Sequence, residues 1–199
     1  MIFALFGSGL VALTQNLTQD RIAENYRQEV LNNLNLMISA DLYDNQPVDD
    51  HLEFQDSAHF HTDQPITVYR LRKHGLPVAL IMAVTAPNGY SGDINLMVGI
   101  MNDGQLSGVR VLAHKETPGL GDRIEREKSD WILNFQGRSL NNPLLPQWSV
   151  KKDGGAFDQL TGATITPRAI TETVKWCLLY AQQHRDRLFS LPSVAPTPS

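Results

Sequence analysis

The sequence has a single cysteine, Cys177, among its 199 residues. One thiol cannot form an internal disulfide, and it cannot by itself hold a zinc ion or an iron–sulfur cluster. The Cys-x-x-Cys-His pattern that attaches haem is also missing from the sequence. Redox chemistry in this chain would therefore require an organic cofactor. Because Cys177 falls on the apolar side of a predicted helix, we expect a buried structural thiol.

A large excess of charge of one sign is missing as well. The chain has 17 Lys and Arg against 21 Asp and Glu, a formal net charge of −4, and no basic stripe. The sequence therefore predicts no nucleic-acid partner. With 42% hydrophobic and 19% charged residues, it has the composition of a globular protein. Its length is sufficient for one domain with a sizeable core.

The N-terminus is apolar, but the apolar run is short. Residues 2–13, IFALFGSGLVAL, carry no charge, yet these 12 residues fall below the roughly 20 that a membrane-spanning helix needs. The basic segment that opens a signal peptide is missing too. Three interpretations remain, namely part of a membrane anchor, a trimmed signal sequence, or a buried helix. We predict a partial anchor at residues 1–15, because nothing else in the chain fits that role.

An amphipathic pattern follows the apolar segment. Apolar residues recur at helical spacing between residues 16 and 42, which predicts a helix. Residues 41–63 are acidic and poorly periodic, so we expect a connecting loop there. His59 and His61 in this loop are expected to form a surface pair, because two imidazoles without fixed geometry rarely hold a metal. Residues 16–63 thus form a predicted helix and connection before the main domain.

Two hairpins are predicted in the middle of the chain. Each consists of two apolar, partly alternating runs separated by residues that tolerate tight turns. The turns are His74-Gly75 in the first hairpin and Asn102-Asp103-Gly104 in the second. The expected strands cover residues 66–72, 77–85, 93–101 and 106–114. Consecutive hairpins of this kind form an antiparallel sheet.

Helices are predicted on the C-terminal side of the hairpins, at residues 122–135 and 167–188. The first could have a shared apolar face, formed by Ile124, Trp131, Ile132 and Phe135. The second has an apolar face at helical spacing, formed by Ile170, Val174, Cys177, Leu178 and Ala181. The proline-rich residues 191–199 are expected to be a disordered tail. The predicted fold class is α+β, an antiparallel sheet of hairpins packed with helices and preceded by an N-terminal helix or membrane anchor. The main domain is assigned to residues 64–190.

The clearest chemical pattern is DQLTGATITP at residues 158–167. Gly162 and Ala163 have little or no side chain, so the backbone can come close to a ligand. Thr166 is expected to cap the following helix, with Pro167 at its first position. Free N–H groups and the helix dipole then favour an anion such as phosphate. Taken alone, the pattern is more often a simple capped helix start.

The stretch 158–164, DQLTGAT, resembles the flavinylation motif of FMN-binding domains in Rnf and Na⁺-translocating NADH:quinone reductase complexes. Two more segments are similar to the G subunit of Rnf (Rsx) electron transport complexes, a family related to the C subunit of the quinone reductase. They are residues 86–92, APNGYSG, and 114–122, HKETPGLGD. The segment 148–155, WSVKKDGG, leads into the flavinylation motif. The resemblance covers residues 64–185 and the helix before them.

The resemblance implies a covalent cofactor. In this family a flavin transferase joins the FMN phosphate by a phosphoester bond to the last threonine of the motif, which is Thr164 here. Asp158 is expected to serve the flavin transferase, through recognition or metal contact, or else to shape the turn. The other residues expected to contact FMN are Thr161, Gly162, Ala163, Ile165, Thr166, Tyr90, Ser91, Glu116, Thr117, Leu120 and Lys152.

Individual roles in this expected site follow from side-chain chemistry. Glu116 and Thr117 are expected to hydrogen-bond the edge of the flavin ring, and Leu120 to pack on its face. Tyr90 can stack on the ring or cover it, and Lys152 can neutralise phosphate charge. Without the resemblance, the loops that carry these residues would be ordinary turns.

The resemblance also implies a function. The chain would relay electrons through FMN as one component of an Rnf-type ion-translocating complex, rather than act as a stand-alone enzyme. It would be a single-pass protein of the bacterial inner membrane with its FMN domain on the periplasmic side. Its partners would be the other Rnf subunits, the membrane and a flavin transferase. The alternative is a non-redox sensor or assembly domain of the same fold that binds FMN or another ligand.

Overall fold

The computed structural model describes residues 21, 24, 25 and 27–194. The chain divides into two compact units, Met1–Leu36 and Met37–Ser199. The predicted anchor at residues 1–15 lies outside the described residues. Among the residues that are described, no helix is long and apolar enough to cross a membrane.

The described residues 21, 24, 25 and 27–37 are all helical, and the helix that ends at residue 37 is called α1. Val30 and Leu34 are buried. The predicted helix therefore exists over these residues but ends earlier than residue 42. A separate 3₁₀ turn follows at Ala40–Leu42.

The second unit is built on a five-stranded antiparallel sheet with the order β1-β2-β3-β4-β5. Each strand thus pairs with its neighbour in sequence, and Met82 of β3 lies opposite Val68 of β2 and Val98 of β4. Both predicted hairpins are confirmed, and a tight turn between Gly89 and Gly92 joins them. The strands are β1 (His51–Phe54), β2 (Ile66–Lys73), β3 (Leu76–Gly89), β4 (Gly92–Met101) and β5 (Leu106–Ala113).

The segment 41–63 contains two elements that the sequence did not predict. Strand β1 pairs along the edge of β2, with Leu52 opposite Val68. A single-turn helix, α2 (Ser57–Phe60), follows, and the Asp56 carboxylate accepts a hydrogen bond from its backbone at His59 N (3.1 Å). Four residues in each element are too few for a recognisable period, which is why the segment resembled a loop.

The predicted helix at residues 122–135 is wrong. The structure has two 3₁₀ segments there, Gly121–Ile124 and Trp131–Phe135. Between them, the Ser129 hydroxyl donates to the carbonyl of Arg123 and accepts from the N–H of Trp131. A serine that bonds nearby backbone groups in this way competes with helical hydrogen bonding. The four apolar side chains expected to share a face are nonetheless all buried, namely Ile124, Trp131, Ile132 and Phe135.

The long helix α3 (Ile165–Ser190) covers one face of the sheet, mainly over β3. Its predicted apolar face is confirmed, because Ile170, Val174, Cys177, Leu178 and Ala181 are all buried. They belong to the same core as inward residues of the sheet such as Met82 and Val98. This packing fixes the start of α3 beside the end of the sheet where β3 turns into β4.

The far end of α3 is held by Arg70 of β2, whose side chain is almost fully buried. Its guanidinium donates to the carbonyls of Leu188 and Leu191 and forms an ion pair with Asp50 (2.5 Å). Val194 N–H donates to the His51 carbonyl at 3.0 Å. Residues 191–194, predicted as part of a disordered tail, thus make ordered contacts, because the last turn of α3 offers carbonyls to a buried cation. Residues 195–199 lie outside the described residues.

Candidate functional site

Three loops meet at the carboxylate of Glu116, which is 5% exposed. Its Oε1 accepts the backbone N–H of Ser91, in the β3–β4 turn, at 3.0 Å. Its Oε2 accepts the hydroxyl of Thr166, in the first turn of α3. One side chain therefore joins the three segments that the sequence singled out separately.

Two glycines allow this close packing. A Cβ atom on Gly89 would lie 2.9 Å from Glu116 Oε1 and 2.3 Å from the Gly92 carbonyl oxygen. A Cβ atom on Gly121 would lie 2.6 Å from Glu116 Oε2. Real Cβ atoms do not approach so closely, so both positions require glycine while Glu116 keeps its hydrogen bonds.

The segment 158–164, which resembles the flavinylation motif, forms a tight turn before α3. The N–H of Ala163 donates to the carbonyl of Leu160 at 3.0 Å, and Gly162 has φ of 81°. Glycine adopts this left-handed conformation without the steric cost of a Cβ atom. A Cβ atom at Gly162 would also lie 3.0 Å from Leu120 Cδ2. The Thr161–Gly162 corner is exposed and lies against the Glu116 loop.

Thr164 occupies the N-cap position of α3, with φ −103° and ψ −33°. It is partly exposed, and its carbonyl accepts the N–H of Arg168 at 3.2 Å. The expected cap residue, Thr166, is instead buried inside the helix, and Pro167 is the third helical residue rather than the first. The Thr166 hydroxyl donates to Glu116 instead of capping the helix. In the described part of the chain, the Thr164 side chain makes no capping hydrogen bond.

Ion pairs hold the segment before the motif in place. The Arg168 guanidinium binds both oxygens of Asp153 (2.7 and 2.9 Å), which lowers the pKa of Asp153. Lys151 Nζ lies 2.5 Å from Asp158 Oδ1. Asp158, predicted to serve transferase recognition, is thus exposed but paired with a lysine. Lys152 is exposed next to this pair.

Exposed apolar side chains stand on each of the three loops. Tyr90 is 67% exposed, Leu120 45% and Ile165 43%. Each directly precedes a residue that contacts Glu116 (Ser91, Gly121 and Thr166, respectively). Thr117 is partly exposed, and its carbonyl accepts N–H groups from Leu120 and Gly121. The three loops therefore present apolar surface from positions that are fixed relative to one another.

A polar network that the sequence did not indicate lies behind the Glu116 loop. His114 Nδ1 accepts the backbone N–H of Glu116 at 3.0 Å, and His114 Nε2 lies 2.9 Å from Glu125 Oε1. Lys128 Nζ binds Glu125 at 2.7 Å and Asp122 at 2.9 Å. The hydrogen bond from Lys128 keeps the pKa of Glu125 below its usual value, against the effect of burial. Glu125 and Lys128 lie within residues 122–135, where the sequence predicted a helix and indicated no part of the site.

The remaining candidates belong to the scaffold. His59 Nε2 lies 2.9 Å from the carbonyl oxygen of Trp176, and the ring of His61 lies 4.6 Å from the Trp176 ring. Among the described residues, no group of three or more His, Cys, Asp or Glu could hold a metal ion. Cys177 is fully buried, which raises the pKa of its thiol.

The residues at the start of α3 are suited to a flavin phosphate and ring. Gly162 keeps a corner of backbone free of side chain, and the helix N-terminus at Thr164 favours a negative charge. The exposed Tyr90, Leu120 and Ile165 offer apolar contact to a flat aromatic ring.

Comparison with known protein families first gives the class of protein to which the chain belongs. Residues 89–179 match the FMN-binding domain, a stretch that includes Glu116, Thr164 and the three loops joined at Glu116. Residues 1–37 match the RnfG N-terminal region.

Full-length relatives then give the family. The chain is 48% identical over 189 residues to the G subunit of the ion-translocating oxidoreductase complex of Pseudomonas aeruginosa, covering 95% of this chain and 88% of that protein. The G subunit of Pseudoalteromonas atlantica is 46% identical over 95% of this chain and 88% of its own length. The G subunit of Vibrio cholerae is 42% identical, with 96% and 91% covered. The chain belongs to the family of G subunits of ion-translocating oxidoreductase complexes, which confirms the resemblance seen in its motifs.

Proposed function

We propose that this chain carries FMN covalently on Thr164 and relays electrons as the G subunit of an Rnf-type ion-translocating complex. The observation that carries the assignment is the position of Thr164. It is a partly exposed threonine at a helix N-terminus, directly after a glycine turn, and its hydroxyl caps no backbone N–H in the described part of the chain. The match to the FMN-binding domain and the identity of the relatives support the same function.

Phosphate and ring would contact different parts of the site. The backbone at Gly162, the hydroxyl of Thr161 and the start of α3 would bind the phosphate, with Lys152 supplying positive charge. Ala163 keeps side-chain bulk low beside Thr164. Tyr90, Leu120, Ile165 and Thr117 would contact the ring.

Glu116 has a different part in this proposal. Its two oxygens already bond Ser91 and Thr166, so its main contribution is to hold in place the loops that contact the ring. When bound, FMN supplies the capacity to accept and donate single electrons. The chain's own residues orient the cofactor and shield it from water.

Attachment requires a maturation enzyme. A phosphoester to Thr164 needs an activated FMN donor, such as a flavin dinucleotide. The Thr164 hydroxyl oxygen bonds to the FMN phosphorus as the phosphoanhydride bond of the donor breaks. The nucleoside monophosphate half of the donor leaves, and the hydroxyl proton is released to solvent. We assign this step to a flavin transferase that recognises the exposed motif, including Asp158.

We further propose that the chain is a single-pass inner-membrane protein whose FMN domain faces the periplasm. The match of residues 1–37 to the RnfG N-terminal region and the apolar character of residues 2–13 support this arrangement. A covalent tether would retain the cofactor on a side of the membrane where free FMN is scarce. Partners would be the other subunits of the complex.

Mass spectrometry of the denatured chain, produced together with a flavin transferase, tests the attachment. We expect one FMN per chain in the wild type and in Thr164→Ser, which keeps a hydroxyl, but none in Thr164→Val, which has nearly the same volume without it. Thr161→Val should still be modified. Flavin found on Thr164→Val would refute the assigned residue. A wild-type chain without flavin, or a flavin that cannot be reversibly reduced, would favour a non-redox binding domain.

A further inference from the structure

A closed chain of hydrogen bonds supports the Glu116 loop from outside the residues proposed to contact FMN. It runs from the backbone of Glu116 to His114, then to Glu125 and Lys128, and returns to Asp122 in the same loop. The side chain of His114 is 12% exposed and that of Asp122 is 6% exposed. The network therefore ties the two ends of the loop, at residues 114 and 122, to each other.

The imidazole of His114 can support Glu116 in only one protonation state. A neutral imidazole has one N–H donor and one acceptor nitrogen. Glu116 N–H is itself a donor, so His114 Nδ1 must be the acceptor and the hydrogen must be on Nε2. Glu125 Oε1 accepts that hydrogen at 2.9 Å. A carboxylate is an acceptor only, so Glu125 selects this tautomer and excludes the other.

Lys128 fixes Glu125 in turn. Its ammonium group lies 2.7 Å from the same Glu125 oxygen and 2.9 Å from Asp122. Glu125 is thus ionised and oriented by a cation, which keeps it an acceptor. The charged groups that contact His114 directly or through this chain are Glu125, Lys128 and Asp122, with Glu116 on the other side.

We propose that Glu125 is a positioning residue for the flavin site, which it controls by fixing the tautomer of His114 and thereby the backbone of Glu116. A change in the Glu116 backbone would act on the flavin site through the Glu116 carboxylate. That carboxylate holds Ser91, next to Tyr90, and Thr166, two residues after Thr164. Only this last link, to the flavin, rests on the proposed function. The link from Glu125 to Glu116 holds for the chain alone.

The test uses nitrogen-15 NMR of the full chain without flavin at pH 7.5, with His114→Gln to assign the His114 imidazole signals. In the wild type we expect the Nε2–H tautomer to exceed the other by about tenfold, the preference that a hydrogen bond to a charged acceptor gives. In Glu125→Gln the amide can accept from Nε2–H or donate to Nε2, so the Nδ1–H fraction should rise at least about threefold. The backbone amide signals of Glu116 and Ser91 should shift with it. Glu127→Gln removes an equivalent charge from an exposed neighbour. It should change neither the tautomer fraction of His114 nor the backbone amide signals of Glu116 and Ser91.

The same variants, loaded with FMN, test the link to the cofactor. We expect Glu125→Gln to shift the flavin absorption maximum or midpoint potential, and Glu127→Gln to leave both unchanged. An Nδ1–H tautomer in the wild type, or a tautomer ratio unaffected by Glu125→Gln, would overturn the proposal. So would a tautomer change that leaves Glu116, Ser91 and the flavin signals in place. A wild-type chain that takes up no FMN would count against the proposed function alone, because the tautomer measurement does not involve the flavin.

Discussion

Glu116 is a buried carboxylate whose hydrogen-bond partners lie in two other segments, the β3–β4 turn and the first turn of α3. Ser91 is 25 residues before it and Thr166 is 50 residues after it. A carboxylate is suited to this position because it accepts several hydrogen bonds and donates none. Gly89 and Gly121 pack close to it, and a Cβ atom at either position would crowd one of its oxygens. This residue therefore determines how the three loops are arranged.

Replacement of Glu116 should destabilise the fold as well as the site. Glu116→Ala leaves the Ser91 N–H and the Thr166 hydroxyl without their partner, which should lower the free energy of unfolding by about 2 kcal/mol or more. Urea denaturation measures this value, and Glu127→Ala on the exposed surface should stay within about 0.5 kcal/mol of the wild type. Equal stability of the two variants would mean that Glu116 does not hold the loops together.

Two features make Gly162 sensitive to substitution, namely its left-handed backbone conformation and the Leu120 side chain beside it. Gly162→Ala places a Cβ atom at φ 81° and 3.0 Å from Leu120 Cδ2. Gly104 in the β4–β5 turn is a matched control, because it has φ of 86° but nothing within 4 Å of its Cβ position. Both alanine variants should lose about 1 kcal/mol of stability through backbone strain. Only Gly162→Ala should slow the incorporation of covalent FMN, and equal rates would remove the Leu120 contact from the site.

Some residues of the candidate site could be predicted from the sequence. Thr164, Gly162 and Glu116 each stand in a short motif whose spacing can be read directly. The partners Glu125 and Lys128 could not be found in that way. Their i, i+3 spacing is common on exposed helix surfaces, and their role depends on a fold in which His114 turns towards them.

Among the elements, α3 was the easiest to predict and its first turn the hardest. Its apolar face has a regular helical period, so the buried residues followed from the sequence. Its start did not, because Thr166 and Pro167 have the residue types of a cap and a first position but are the second and third residues of the helix. The hydrogen bond of Thr166 to Glu116 decides the outcome, and no local pattern reveals a partner 50 residues away.

The two 3₁₀ segments also could not be predicted from a local sequence pattern. Spacing of Ile124, Trp131, Ile132 and Phe135 correctly indicated burial, but burial alone does not distinguish a helix from two short turns. Ser129 makes that difference through backbone hydrogen bonds. Strand β1 escaped prediction because it has only four residues and depends on pairing with β2.

The buried face of α3 predicts the reactivity of Cys177. Because this thiol is fully buried and burial raises its pKa, it should be inert to thiol reagents in the folded chain at pH 8. It should react completely once urea unfolds the core. Ellman's reagent measures both states, and rapid labelling of the folded chain would contradict the observed packing of the helix.

At the scale of the whole molecule, α3 is fixed at both ends. Its start is bound to Glu116, and its end is bound to Arg70 and Arg72 of β2, which share Asp50. The Arg70 guanidinium lies at the carbonyl end of the helix, where positive charge is favourable. Burial alone would raise the pKa of Asp50, but the hydrogen bond from Arg72 and the charge of Arg70 outweigh it and bring the pKa below its ordinary value of 3.8.

This cluster should make the fold sensitive to acid. A lowered pKa in the folded state means that Asp50 contributes stability above pH 3.8, and that this contribution disappears as the pH falls through the lower folded value. Asp50→Asn should therefore cost about 2 kcal/mol at pH 7. Urea denaturation at a series of pH values should show the gap from the wild type shrinking below about pH 4. A gap that stays constant down to pH 2 would exclude the ionised carboxylate as its source.

The wide sequence separation around Glu116 also bears on the order of events in biogenesis. A newly made chain has the threonine of the motif as soon as that segment is synthesised, but it has no loop arrangement around it until β3, β4 and α3 have come together. A modifying enzyme that requires this arrangement would therefore act after folding and would pass over misfolded copies. Under that requirement, the yellow colour of a preparation would report the fraction of chains that had folded before they were modified.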